Sequence, residues 1–324
     1  MIPKISVIIP AYNAEKYIAK AIESVLEQTE KSIEAIVVDD GSTDSTVEIV
    51  KSFSDPRLRL IINQDNRGVS YSRNRALTEA RGEWVAILDA DDWYAPERVE
   101  KLLQVASAEN VDIIADDLYF VEYDAIEPSS TLLCVDKENF NQVKFIDTLT
   151  FVELNMKPAS ISPHLGLAKP LFNRNFLLKN NLKYDEDLHY IEDFSFYLMC
   201  LLKGAKFVIT PEPYYFYRRY HQGATSTVDR IERLEKSRQA YLYVLQNKSV
   251  RNHPIICSAI EKNLIKINQE LAYSSTIQSI KDKKWLEAGY KTISDPNLVV
   301  HFMKKFGEII RKQFITIRGV ILGV

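Results

Sequence analysis

The chain is short of cysteine, of any one-signed charge and of long apolar runs, and each shortage removes a class of function. Its three cysteines, Cys134, Cys200 and Cys257, stand far apart with no CxxC spacing. They offer no zinc site of the usual kind, and an odd number argues against a disulfide framework. Such usage suits a reducing cytosol. The 41 basic and 44 acidic residues leave a formal charge of −3, so no global field favours nucleic acid. No segment reaches the roughly eighteen unbroken apolar residues of a membrane span. The opening MIPKISVIIPAYN has an apolar run of only a few residues, broken by Pro10 and followed by polar positions, which reads as a strand and not as a signal peptide. No strand leads into GxGxxG or GxxxxGKS/T, which removes support for dinucleotide and P-loop binding. The expected location is the cytoplasm, either free or at the inner face of the cell membrane.

What is present is apolar enough for a large core: 46% of the 324 residues are hydrophobic. Short β-branched runs at 5–9, 34–38, 58–62, 84–88 and 111–115 alternate with stretches of helical spacing at 15–28, 44–52, 70–80 and 96–108. Strand and helix in turn predict βαβ units and a mostly parallel α/β sheet flanked by helices. From 119 to 165 the pattern loosens. Helices are expected again at 174–181 and 193–203, a strand at 205–210, and a mainly helical extension over 228–290. The chain divides on this reading into 1–118, 119–227 and 228–324, the last a helical C-terminal extension.

In an open parallel sheet, ligands gather at the carboxyl ends of the strands. The first strand ends in Pro10-Ala11-Tyr12-Asn13, the second in Asp39-Asp40-Gly41-Ser42, the fourth in Asp89-Ala90-Asp91-Asp92. Carboxylates crowded at one edge call for a cation, and a hard divalent ion with oxygen ligands is the economical choice. Asp91 or Asp92 could instead cap the helix that follows. Tyr12 could stack on a base and Asp40 accept a base N–H, or the two could be a packed ring and a turn. The third strand leads into NRGVSYSRN, where glycine and arginine at a helix start suit a phosphate-bearing ligand. Arg73 and Arg75 could equally decorate a helix surface. Asp116 and Asp117, after the fifth strand, carry no assigned role.

These segments, SVIIPAYNAEKYIAKAIESVLEQT, EAIVVDDGSTDST, NRGVSYSRNRAL and GEWVAILDADDW, in this order and spacing, resemble the inverting glycosyltransferases of family 2. The resemblance implies the GT-A fold, with 1–118 its nucleotide-sugar-binding half and 119–227 its acceptor-binding half, a UDP-sugar donor, and Mn²⁺ or Mg²⁺. It places Pro10, Tyr12, Asp40, Asp89, Ala90 and Asp91 at the nucleotide sugar, with Asp91 also on the metal and Arg73 toward the diphosphate. In Tyr190-Ile191-Glu192-Asp193 the residue matching the family's general base is Asp193, with Glu192 orienting the acceptor. An acceptor hydroxyl must lose a proton as it attacks the anomeric carbon, so such a group is required. A cap on the helix is the plainer role for Asp193. The stretch Tyr217–Ser226 resembles the family's loop that closes over the diphosphate, implying Arg218 as a phosphate clamp and His221 as a further metal ligand. SPHLGLAKPLFNRNF is similar to the acceptor-side segment of exopolysaccharide and succinoglycan-type glucosyltransferases, implying His164 and Lys169 near the acceptor, although core or surface roles also fit them.

The expected reaction moves a hexose, with inversion, to a saccharide or lipid-linked saccharide hydroxyl in bacterial-type polysaccharide biosynthesis. Over 300–324 a helical wheel sets Phe302, Phe306, Ile309, Ile310, Ile317 and Ile321 against Lys304, Lys305, Arg311, Lys312 and Arg318. Such a helix can lie on an anionic membrane or dock on its own domain. Two rivals remain. A nucleotidyltransferase needs a glycine-rich, lysine-bearing loop where this chain has PAYNAEKY. A non-catalytic sugar-nucleotide-binding protein would take up donor without releasing nucleoside diphosphate.

Overall fold

The computed structural model describes residues 2–286 other than 123, 124, 126, 159, 160 and 220–229. The first four expected strands form as β1 (Ile5–Ala11), β2 (Ile33–Asp39), β3 (Leu58–Ile62) and β4 (Trp84–Ile87). Between them run α1 (Ile18–Leu26), α2 (Thr46–Ser52) and α3 (Val69–Glu79). After the two-residue β5 (Trp93–Tyr94) and α4 (Arg98–Glu109) comes β6 (Ile113–Glu122). Every residue of β1 and β2 is buried, as befits central strands covered on both faces. The helix α1 turns Ile18, Ala21, Ile22 and Val25 inward. That i, i+3, i+4, i+7 stripe is the amphipathic signature of its sequence.

The strands order as β3-β2-β1-β4, all parallel, and the sheet then continues through β9 (Leu171–Asn173), β6 and β10 (Phe207–Arg219) to β5. Short β9 is antiparallel to both β4 and β6, so β6 and its parallel partner β10 run with the first four. All the longer strands therefore present their carboxyl ends at one edge. Residue 118, between the two expected halves, lies inside β6. The strand expected at 205–210 extends through the aromatic run to Arg219, bending at irregularities between Thr210 and Tyr215.

The loosely patterned stretch hides β7 (Ser130–Thr131), β8 (Lys144–Ile146) and α5 (Thr148–Met156), capped by Asp147 on the Thr150 N–H. Beyond it lie α6 (Arg174–Lys179) and α7 (Glu192–Leu202). Phe151 of α5 stacks on Phe194 of α7 with ring centroids 5.4 Å apart, fixing the helix that carries the Glu192-Asp193 pair. The extension forms α8 (Arg230–Gln246), α9 (Lys248–Arg251) and α10 (Pro254–Lys281). Tyr241 of α8 meets Phe194 edge-on at 5.7 Å, so the extension packs on the body beside α7. Among the described residues no helix is long and apolar enough to cross a membrane. The expected helix at 300–324 lies outside them.

Candidate active site

The loops at the carboxyl ends of β1 and β2 are laced together. The Asp40 N–H donates to the Ala11 carbonyl at 2.8 Å, and the Asn13 side chain accepts from the Thr43 N–H at 2.8 Å. Pro10 is buried at the end of β1, and Tyr12 beyond it is 48% exposed, leaving its ring a free face for stacking. Asp40 is buried and accepts from the N–H groups of Arg67 and Gly68 and from Asn63 Nδ2 at 2.6 Å. It thereby pins the start of α3, where Gly68 takes φ of 91°, a value that favours glycine.

The turn after β4 carries the acidic run. Asp92 is buried, accepting from the Tyr215 hydroxyl at 2.7 Å and from the Arg218 N–H at 2.7 Å. Asp91 is half-buried, and its carbonyl accepts from Arg218 Nε at 3.1 Å. Ala90 is buried between Asp89 and Asp91. Neither Asp91 nor Asp92 caps α4, because β5 intervenes and Glu97 holds the cap position. Arg218 also lies 5.0 Å from the Trp93 ring centroid, and Lys20 Nζ sits 3.3 Å over the same ring. Nothing in the local sequence marks Lys20 as a neighbour of this turn.

Burial pushes the Asp92 carboxyl well above the usual range, and the charges of Asp91 and Asp89 push the same way. Folding therefore favours neutral Asp92. It is penalised as pH rises from the unfolded value of 3.8 toward the higher folded one. Asp92→Asn removes the penalty, with Oδ1 accepting from Arg218 N–H and Nδ2 donating to the Tyr215 oxygen. A melting curve at pH 7 should rise by about 2–5 °C, and the gain should fade below about pH 4. An unchanged or lower melting temperature at pH 7 contradicts this.

The remaining expected residues meet in one buried cluster. Asp89 lies 2.9 Å from Arg73 Nη2 and 2.9 Å from Lys169 Nζ. Asp193 lies 2.9 Å from Arg73 Nη1 and 2.7 Å from Lys169 Nζ, and Glu192 is 3.2 Å from Arg73 Nη1. Arg73 is not a surface decoration: it is 2% exposed and bonded to these three carboxylates. Arg75 is tied to the end of β3 through the Ile62 carbonyl and Asn63. Asp193 is not the cap of α7 but sits in its first turn. The cap position is Ile191, whose φ of 57° is rare for a β-branched residue. Such a conformation costs on the order of 1–3 kcal/mol and is found where the surroundings enforce it.

Charges order this cluster. Burial pushes the Asp89 carboxyl up, but Lys169 and Arg73 outweigh it and hold it well below the usual carboxylate range. Burial and the neighbouring Asp193 charge raise Glu192. Burial lowers Lys169, yet Asp193 and Asp89 more than reverse this. Tyr184 lies beneath, with Arg73 5.0 Å from its ring centroid.

Some candidates stand elsewhere. Asp116 and Asp117 lie within β6 rather than after it, and both are buried. Asp116 binds Arg98 at 2.7 Å, and Asp117 accepts the Leu118 and Leu133 N–H groups. His164 bonds the Lys157 carbonyl at 2.7 Å. His221 is outside the described residues.

Among the described residues, no group of three or more His, Cys, Asp or Glu side chains is arranged to hold a metal ion. Asp89 and Asp92 have their oxygens committed to Arg73, Lys169, Tyr215 and the Arg218 N–H. That donor set suits an ion that takes one or two carboxylates and completes its shell from phosphate oxygens and water. Asp91, the residue expected at the ion, is half-buried in the same turn.

A GT-A type α/β sheet with an acidic turn at its carboxyl edge and an acid pair facing it defines a glycosyltransferase-type site. The chain matches the glycosyl transferase family 2 profile over residues 6–152. The succinoglycan biosynthesis protein ExoO of Rhizobium meliloti is 32% identical over 234 residues, covering 72% of this chain and 66% of that protein. An uncharacterized glycosyltransferase of Methanocaldococcus jannaschii is 32% identical over 215 residues, 65% of this chain and 69% of the relative. The fold is shared with S. aureus TarS 1–349 in complex with UDP-GlcNAc, with a TM-score of 0.63 and 21% identity, covering 88% of this chain and 79% of that one. The chain belongs to glycosyltransferase family 2.

Proposed function

We propose that the protein is an inverting hexosyltransferase that moves a sugar from a UDP-sugar to a saccharide hydroxyl during polysaccharide biosynthesis. The observation that carries this reading is the approach of Asp193, from the acceptor half, to the Asp89 turn of the donor half through shared cations. Family membership and the succinoglycan relative support the substrate class. Tyr12 and Asp40, at the ends of β1 and β2, take the base, and Asp89 takes a ribose hydroxyl. Asp193 accepts the acceptor's proton as the oxygen attacks the anomeric carbon. Glu192 helps orient the acceptor, and Arg218 steadies the diphosphate. A divalent ion, Mn²⁺ or Mg²⁺, held by Asp91 with diphosphate oxygens, would stabilise charge on the leaving group.

Calorimetric titration of a panel of nucleotide sugars, with Mn²⁺ and then with EDTA, tests the donor site. One UDP-sugar should bind in a metal-dependent manner, and Asp91→Asn should weaken it by about tenfold or more. Binding that ignores both metal and Asp91 would remove the metal from this reading. No binding by any nucleotide sugar would remove the donor site itself.

A further inference from the structure

Arg73, Asp193, Lys169 and Asp89 close a ring of alternating charge. Arg73 gives Nη2 to Asp89 Oδ1 and Nη1 to Asp193 Oδ1, each at 2.9 Å. Lys169 Nζ lies 2.9 Å from Asp89 Oδ2 and 2.7 Å from Asp193 Oδ2. Each carboxylate thus gives one oxygen to each cation. Both cations are buried, and Arg73 Nε is left buried without a hydrogen-bond partner. The guanidinium is therefore oriented by the ring rather than by the best use of all its donors. Buried ion pairs are a weak source of stability, since desolvation offsets most of the attraction. The consequence of this ring is electrostatic coupling between its two ends.

We propose that Arg73 and Lys169 are positioning residues that couple the protonation of Asp193 to the hold on the nucleotide, an inference that rests on the transfer reaction above. During transfer the acceptor O–H bond breaks and its proton goes to Asp193. The acceptor oxygen bonds the anomeric carbon, and the electron pair of the breaking C–O bond leaves with the diphosphate. One negative charge thereby departs Asp193 as one develops on the diphosphate. Once Asp193 is neutral, Arg73 and Lys169 answer mainly to Asp89 and Glu192, and their uncompensated charge favours the nucleoside diphosphate. The proton's arrival and the leaving group's charge are balanced through the same two cations.

Asp193→Asn removes the charge of the base at nearly constant shape, its one amide oxygen accepting from either Arg73 or Lys169 but not from both. UDP binding with Mn²⁺ should be measured by calorimetry at fixed pH and salt for the full chain and for Asp193→Asn, Lys169→Met, Lys169→Arg and the Asp193→Asn/Lys169→Met double variant. Asp193→Asn should bind UDP about three- to tenfold tighter, with the gain shrinking as salt rises. The gain should vanish in the Lys169→Met background, and Lys169→Arg should bind UDP as the parent does. Binding by Asp193→Asn equal to or weaker than the parent overturns the coupling, as does an equal gain with and without Lys169. If Lys169→Met fails to fold, Asp193→Asn alone still decides. A parent chain that takes up no UDP overturns the donor-site reading and the coupling with it. Uptake without the Asp193→Asn gain overturns the coupling alone.

Discussion

Asp193→Asn should lower turnover of a UDP-sugar by about 10²- to 10⁴-fold, the usual worth of a positioned general base, while nucleotide binding is retained and, through the coupling argued above, tightened. The carboxylate is held at 2.9 Å by Arg73 and 2.7 Å by Lys169, so the isosteric amide keeps the volume but loses the basic oxygen and turns an NH₂ toward one of the two cations. Rates of nucleoside diphosphate release check it. Glu192→Gln should cost less, because Glu192 has one contact in the cluster, at 3.2 Å to Arg73, and burial holds it toward the neutral acid. Equal losses in the two variants would show that the pair acts as one unit. Full activity in Asp193→Asn would remove it as the base.

The largest stability effect is expected at Asp116. Arg98 is 0% exposed and holds Asp116 through Nε and Nη2, with Asp116 Oδ1 2.7 Å from Nη2. The Tyr94 and Tyr215 ring centroids lie 4.2 and 5.2 Å from the guanidinium. Asp116→Ala leaves that charge buried against rings and the Lys169 carbonyl, a change that costs about 3–5 kcal/mol. The melting temperature should fall by about 6–20 °C. Replacing both members, Arg98→Met with Asp116→Leu, should recover most of the loss, since no unpaired charge remains. A fall below about 1 kcal/mol for Asp116→Ala alone would show that water reaches the guanidinium. Arg98 Nη2 also donates to the Lys169 carbonyl at 2.6 Å. This structural pair therefore props the backbone of a residue that bridges Asp89 and Asp193.

The fold was legible in the sequence wherever a whole element repeats one period. ISVII and EAIVV, buried at every position, and the Ile18-Ala21-Ile22-Val25 stripe announce their structure locally. The two-residue β5 and three-residue β9 are too short to carry a period. Of the two, β9 nonetheless joins the two parallel groups of strands, and β5 closes the far edge against β10. The Asp89-Ala90-Asp91 and Glu192-Asp193 motifs were readable as chemistry, but their partners were not. Arg73 reaches Asp193 across 120 residues and Lys169 reaches it across 24. Arg73 could be read as a surface arginine because helical spacing does not report which charge lies across the sheet edge. Asp116 and Asp117 looked like loop carboxylates because an acidic pair inside a strand is costly unless paired. Arg98 and the backbone N–H groups supply that pairing from elements that the sequence alone does not bring together.

The most direct test of sugar transfer through Asp193 needs no knowledge of the acceptor. Water can replace the acceptor hydroxyl, and proton NMR can follow the first-formed anomer when an α-linked UDP-sugar is hydrolysed with Mn²⁺ present. The β anomer should appear first, with its formation slowed by Asp193→Asn to the extent that turnover is. An α anomer formed first, or β formation indifferent to Asp193, would contradict inverting attack assisted by this carboxylate.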